Sequence, residues 1–357
     1  MNRNNRTPAD SAPSGALPDA GRPGGTDKPR FHKLDWMRFL GITLIMGHHL
    51  YVLGYEGDYL CMSCWVWVDF FFILSGALTH RHFRLHPADP TRCGSESIRY
   101  TFHKFRRFLL PALLSVLALY GLENYPLLGG PNWTSFFWKL PNALYEILFL
   151  SSSGLTTALN APIWYLSALF IVLPLTIYLM TAHREFWRVA ALLIPIVYFG
   201  KNGVNTLRAW PNDLLRALAC LSVGTLADLL AEQLWERLEQ KPRLRLPATV
   251  LEALCVLLAV YLSVGNKPCI NLMEFLFLGI TALMLTGRTH GIRVHTGFCK
   301  LLGALSLPMF LFHWLVGNLV RRLNAAPATR VLLYYGGTLL LSALYVWLAE
   351  RRARNAN

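Results

Sequence analysis

Charge is the first thing this sequence lacks. Of its 357 residues only 15% are Asp, Glu, Lys or Arg, against roughly 25% in soluble domains. Acids are the scarcer sign, 20 against 34 Lys and Arg, leaving a net charge of +14. The short alternating segments of an outer-membrane barrel are missing. Residues 1–30, rich in Pro, Gly, Ala, Asn and Asp, contain no apolar stretch of the kind a secretory signal needs. They read as a disordered cytoplasmic tail. The seven cysteines are scattered and give no disulfide framework. Cys61 and Cys64 form a lone C-x-x-C, expected as two buried thiols on a helix, and the absence of a second pair at suitable spacing argues against zinc. No metal is expected. Nor is a second domain visible: the loop 123–160 is too short, and 351–357 is expected as a basic cytoplasmic tail.

What is there is apolar sequence. Hydrophobic residues make up 54% of the chain, gathered in runs of about 17–25, long enough to cross a hydrocarbon core of ~30 Å. A backbone in lipid must satisfy its own hydrogen bonds, so these runs are helices. The expected fold is all-α: a polytopic membrane helix bundle filling 31–350. About ten spans are read, near 39–54, 61–80, 108–122, 161–181, 187–200, 214–231, 247–264, 269–286, 299–320 and 330–349. Nine or eleven remain open. With both termini in the cytoplasm, 26 of the 34 Lys and Arg fall on the inner side, as the positive-inside rule requires. The net charge then reports orientation in a multi-pass inner-membrane protein, and no nucleic-acid partner is needed to explain it.

Ionisable groups inside such spans are costly and mark functional sites by default. In LDWMRFLGITLIMGHHL, residues 34–50, eleven residues separate Arg38 from His49. At 100° per residue both lie on one helix face, about 16 Å apart along the axis. His48, a further 100° round, reads as structural. In the second span Asp69 lies about 18 Å above Arg81, a depth that matches His49. A carboxylate and an imidazole at one level can meet, the acid orienting the base. The alternative is that Asp69 pairs with an arginine. Lys104, Arg106 and Arg107 precede the third span and suit either lipid headgroups or the phosphates of a soluble ligand. The ninth span places His313 in its outer half, with Ser306 below it and Pro308 between them.

Four segments together resemble the acyltransferase-3 family of integral membrane acyltransferases. LDWMR followed by HH is similar to its first-span pattern, through Asp35, Arg38 and His49. VDFFFILSGAL is similar to its second-span G-V-D/E-x-F-F-x-x-S-G, through Asp69, Phe71, Phe72, Ser75 and Gly76. KFRRFLLP resembles its basic element before a proline, through Lys104, Arg107 and Pro111. SLPMFLFHW resembles its late Ser-to-His element, through Ser306, Leu311 and His313, and PIWYLSALF a further variant. The chain departs from the pattern at Trp67, Lys104 and Phe310. A lysine in place of arginine weakens bidentate phosphate binding there.

The resemblance implies transfer of an acyl group, usually acetyl, from cytoplasmic acyl-CoA to a hydroxyl on the outer side. The acceptor class it implies is a surface carbohydrate or glycolipid. Membrane lipid and the proteins of a glycan assembly pathway are the partners it suggests. On that reading Arg38, Lys104 and Arg107 hold the CoA phosphates, His49 is the general base and Asp69 orients it. Trp164, His313 and Ser306 are the candidate acceptor-side residues, beside the aromatic loop that carries Trp133, Phe136 and Trp138. An exporter or proton-coupled transporter without acyl transfer is the competing reading.

Overall fold

The computed structural model describes residues 31–355 apart from 56–58, 126–131, 155–158, 202–211, 268 and 291–295. The expected tail 1–30 lies outside the described residues. Those described form eleven α-helices joined by short loops and five 3-10 turns, with no β-strand among them. In chain order the helices are α1 (His32–His48), α2 (Trp67–Leu85), α3 (Cys93–Asn124), α4 (Trp133–Ile147), α5 (Trp164–Ala182), α6 (Arg184–Lys201), α7 (Asn212–Gln240), α8 (Arg245–Val264), α9 (Ile270–Thr286), α10 (Thr296–Arg321) and α11 (Pro327–Asn355).

Each of the ten expected stretches overlaps one of these helices, but 39–54 outruns α1, which closes at His48, and 61–80 begins six residues before α2. Six helical stretches are long and apolar enough to cross a membrane: those of α3, α5, α7, α8, α10 and α11. The helix α9 is apolar but shorter, at 17 residues. Two features differ from the expectation. The loop 123–160 contains a helix of its own, α4, and the final basic residues Arg351, Arg352 and Arg354 continue α11 as far as Asn355.

Burial sorts the helices into a centre and a rim. Two thirds of the apolar window is buried in α5, α7 and α10, but only 17% in α8 and α11. On α8 Leu246, Val250, Leu251, Leu254 and Leu257 are all half or more exposed, and α6 turns Val189, Leu192, Leu193, Ile196 and Val197 outward in the same way. Contiguous apolar faces of that size are not left in water; acyl chains are the solvent that suits them.

Neighbour relations set up the site. The helix α1 packs chiefly along α10, and α10 along α11, whereas α2 packs chiefly along α7 and α7 along α9. The α2–α7 contact is close because it is glycine on both sides. A Cβ on Gly76 would lie 2.4 Å from the Leu221 carbonyl oxygen, and one on Gly224 would lie 2.2 Å from that of Ile73. Small residues that let backbones touch are the usual glue where lipid removes the hydrophobic drive.

The chain between α4 and α5 is anchored by a buried carboxylate. Glu146 accepts from the backbone N–H groups of Leu159 and Asn160. The Asn160 amide then donates to Ser115 Oγ at 2.8 Å and to the Leu311 carbonyl, tying this connection to α3 and α10.

Candidate active site

Helix α1 places its two predicted groups at opposite ends. Arg38 lies nearly two turns inside the N-terminal end and donates to Asp35 at 3.1 Å. At the other end the α-helix closes at His48, and His49 opens a 3-10 turn that runs to Leu53. The separation of cation and imidazole read from the spacing is therefore kept, although the last step is no longer α-helical.

His49 meets His313, not Asp69. The His49 Nδ1 to His313 Nε2 distance is 3.1 Å, and the rings lie 5.0 Å apart between centroids. His313 has no exposed surface, and its Nδ1 lies 3.1 Å from the Met309 carbonyl oxygen. A carbonyl can only accept, so His313 Nδ1 carries the hydrogen. In the neutral ring its Nε2 is then an acceptor, and His49 must donate to it from Nδ1. The His49 ring also bonds to the Ile45 backbone, and with the hydrogen on Nδ1 the lone pair that a general base requires is the one on Nε2. Tyr51 and Trp314 stand edge-on to the His49 ring, at 5.7 and 5.5 Å. His48 is held elsewhere: its Nδ1 donates to the Met62 carbonyl at 2.6 Å.

Asp69 forms a separate centre. Its carboxylate receives a two-pronged bond from Arg216, Nε to Oδ1 at 2.6 Å and Nη2 to Oδ2 at 2.8 Å. The expected Asp69–His49 pair is thus corrected by the structure to Asp69–Arg216, the alternative the residues had left open. Equal depth is not adjacency, because α1 faces α10 while α2 faces α7. The Arg216 guanidinium also lies over the rings of Trp65 and Trp164. Trp164 therefore packs on the Asp69–Arg216 pair. Asp69, Cys220 and Glu274 bring ligand-type atoms within 4.8 Å of one another, all three residues buried. Sequence reading missed Arg216 as a partner because it sits near a span end, and missed Glu274 and Cys220 because single polar residues on apolar helices carry no spacing signal.

At the Arg38 end the three predicted cations do gather. Arg38 and Arg107 are both close enough to act electrostatically on the Lys104 ammonium. Lys104 donates to Thr79 Oγ1 at 3.1 Å and lies over the Tyr100 ring, while Arg107 is exposed. Neighbouring Arg81 and Arg84 are turned to other work, Arg81 to the Leu285 carbonyl and Arg84 to Asp228 and Glu232. Ser306 spends its hydroxyl on the Leu302 carbonyl of its own helix, so it offers no donor to a ligand in this arrangement. Trp133 and Trp138 stand exposed on α4, and Phe136 packs back on Tyr120.

An apolar-faced helix bundle with the half-buried His49 set against the buried His313 near one end of α1, and a gathering of cations at the other, is an integral membrane protein with polar chemistry inside it. The family model described as an acyltransferase domain matches residues 31–347, so the chain belongs to the acyltransferase-3 family and is a membrane acyltransferase. No curated protein and no solved structure matches it.

Proposed function

We propose that the protein transfers an acyl group, acetyl in the simplest case, from cytoplasmic acyl-CoA to a hydroxyl of a surface carbohydrate or glycolipid, within the inner membrane. The observation that supports the reading is the chain of contacts from the Met309 carbonyl through His313 to His49, which favours the His49 tautomer whose Nε2 can act as a base. Arg38, Lys104 and Arg107 grip the CoA phosphates by charge-assisted bonds, and the pantetheine arm runs along α1 toward His49. His49 Nε2 takes the proton of the acceptor hydroxyl as its oxygen attacks the thioester carbonyl carbon. The tetrahedral intermediate collapses, the C–S bond breaks, and the departing thiolate recovers that proton from His49. Protons balance without any outside source. His313 touches neither substrate in this scheme and acts as a positioning residue.

Acyl-CoA use is tested by titrating acetyl-CoA into purified protein. Saturable binding that is lost in Arg38→Ala is expected; no binding by the wild type sends the reading to another donor. The acceptor class is tested by mass analysis of surface glycans with and without the gene, where loss of an acetyl increment is the expected result.

A further inference from the structure

The C-x-x-C motif is not the pair of helical thiols that its position suggests. Helix α2 begins only at Trp67, and Cys61 lies in the connection between α1 and α2, at the end of α1 away from Arg38. The Cys64 backbone N–H bonds to the Cys61 carbonyl at 2.9 Å, closing a turn that brings the two side chains into hydrogen-bond contact. Cys61 has φ of +72°, in the left-handed region that non-glycine residues seldom adopt.

The turn is braced from two sides. On one, the Cys61 N–H bonds to the Val264 carbonyl, and the Asn266 side chain holds both the Ser63 N–H and the Tyr59 carbonyl. On the other, Cys61 packs against α1: a Cβ on Gly47 would lie 2.8 Å from Cys61 Cβ and 3.1 Å from its Sγ. The next residue, Met62, supplies the carbonyl that holds His48. The pair therefore sits on the loop that supports the histidine turn.

The two thiols are unequal. Cys61 is partly exposed and Cys64 fully buried. The neighbouring Cys64 thiol brings Cys61 down to about 7 against the opposing effect of burial, while Cys64 is raised. A partly exposed thiolate in front of a buried resolving thiol is an arrangement that thiol–disulfide exchange can use.

We infer that Cys61 and Cys64 form a dithiol site that exchanges with small disulfides, Cys61 attacking and Cys64 resolving. Cys61 thiolate attacks one sulfur of the small disulfide, whose S–S bond breaks and releases one thiol. Cys64, giving up its proton, then attacks Cys61 sulfur, closes the internal disulfide and releases the second thiol. Two protein thiols are oxidised and one small disulfide is reduced to two thiols. The inference stands independently of the acyl-transfer reading.

The test uses the full chain in detergent, with oxidised glutathione as the probe and peptide mass analysis as the readout. The wild type is expected to give an internal Cys61–Cys64 disulfide, lighter by two hydrogens and reversed by reduced glutathione. Cys64→Ala is expected to stop at a glutathione adduct on Cys61. Iodoacetamide labelling of reduced Cys61 should show its midpoint near pH 7 in the wild type, moving in Cys64→Ala toward the ordinary thiol value of about 8.5. Unreactive Cys61, a mixed adduct that persists in the wild type, or a wild-type midpoint already at the ordinary value would each overturn the inference. The wild-type arms decide it even where the variant fails to fold.

Discussion

A histidine becomes a useful base only when its proton is on the correct nitrogen, and His49 is set by a relay of two bonds. His313 Nδ1–H donates to the Met309 carbonyl, His313 Nε2 accepts from His49 Nδ1–H, and the remaining His49 lone pair is on Nε2. The same logic places a carboxylate behind the histidine in other acid–base systems; here a neutral imidazole does the orienting. His313→Ala should then lower acyl transfer by about 10²-fold, the cost of a misplaced catalytic group, while His313→Gln, whose amide oxygen can still accept from His49 Nδ1, should retain more. The comparison is made at matched expression, reading kcat and KM separately, with the loss expected in kcat. Equal loss in both variants would mean that His313 does something other than accept that bond. Arg38, His49 and His313 were all legible in the sequence, because each is a polar residue breaking an apolar run. Their grouping was legible only in part. Depth along a helix can be counted from residue numbers, but the direction a side chain faces among neighbours cannot, and so Asp69 was expected at His49 when it belongs to Arg216.

Between helices the decisive contacts are those of α1 with α10 and of α2 with α7 and α9. They divide the polar interior into a histidine centre and an Asp69–Arg216 centre. The second is a fully desolvated ion pair, with side-chain exposures of 6% and 1%. Removing one partner strands the other charge, so Arg216→Met should destabilise the fold by about 3–5 kcal/mol, whereas Arg216→Met combined with Asp69→Leu should recover much of that loss. Unfolding in detergent followed by tryptophan fluorescence measures both. A double variant as unstable as the sum of the singles would contradict a simple pairing role. The glycine contact makes a sharper case. Gly76→Ala places a methyl 2.4 Å from the Leu221 carbonyl oxygen, backbone that cannot step aside without moving α7. A loss of about 1–3 kcal/mol is expected, as for other overpacked contacts, against little change for Gly279→Ala, where a Cβ meets nothing within 4 Å. Helix existence was readable from apolar run length. Partner choice was not, since Gly76 and Gly224 lie far apart in the chain and show their complementarity only when the helices are laid together.

Taken whole, the molecule separates its chemistry along α1, cations at one end and a neutral base at the other, inside a bundle whose rim is apolar. That separation suits a donor with phosphates at one end and a thioester at the tip of a long arm. Composition was enough to expect an all-helical membrane bundle, because lipid imposes the same constraints on every chain it surrounds. The loop 123–160 was harder, since α4 and the Glu146 anchor are held by tertiary bonds to the Leu159 and Asn160 backbone that no local pattern announces. The account rests most heavily on His49 as the base. A general base contributes about 10²–10⁴-fold, so the direct measurement is transfer of labelled acetyl from acetyl-CoA to the membrane glycan fraction by wild type and His49→Ala at equal expression. The account predicts labelling by the wild type, a loss of at least about 10²-fold in the variant, and undiminished acetyl-CoA binding. A His49→Ala protein that transfers acetyl at the wild-type rate would contradict it.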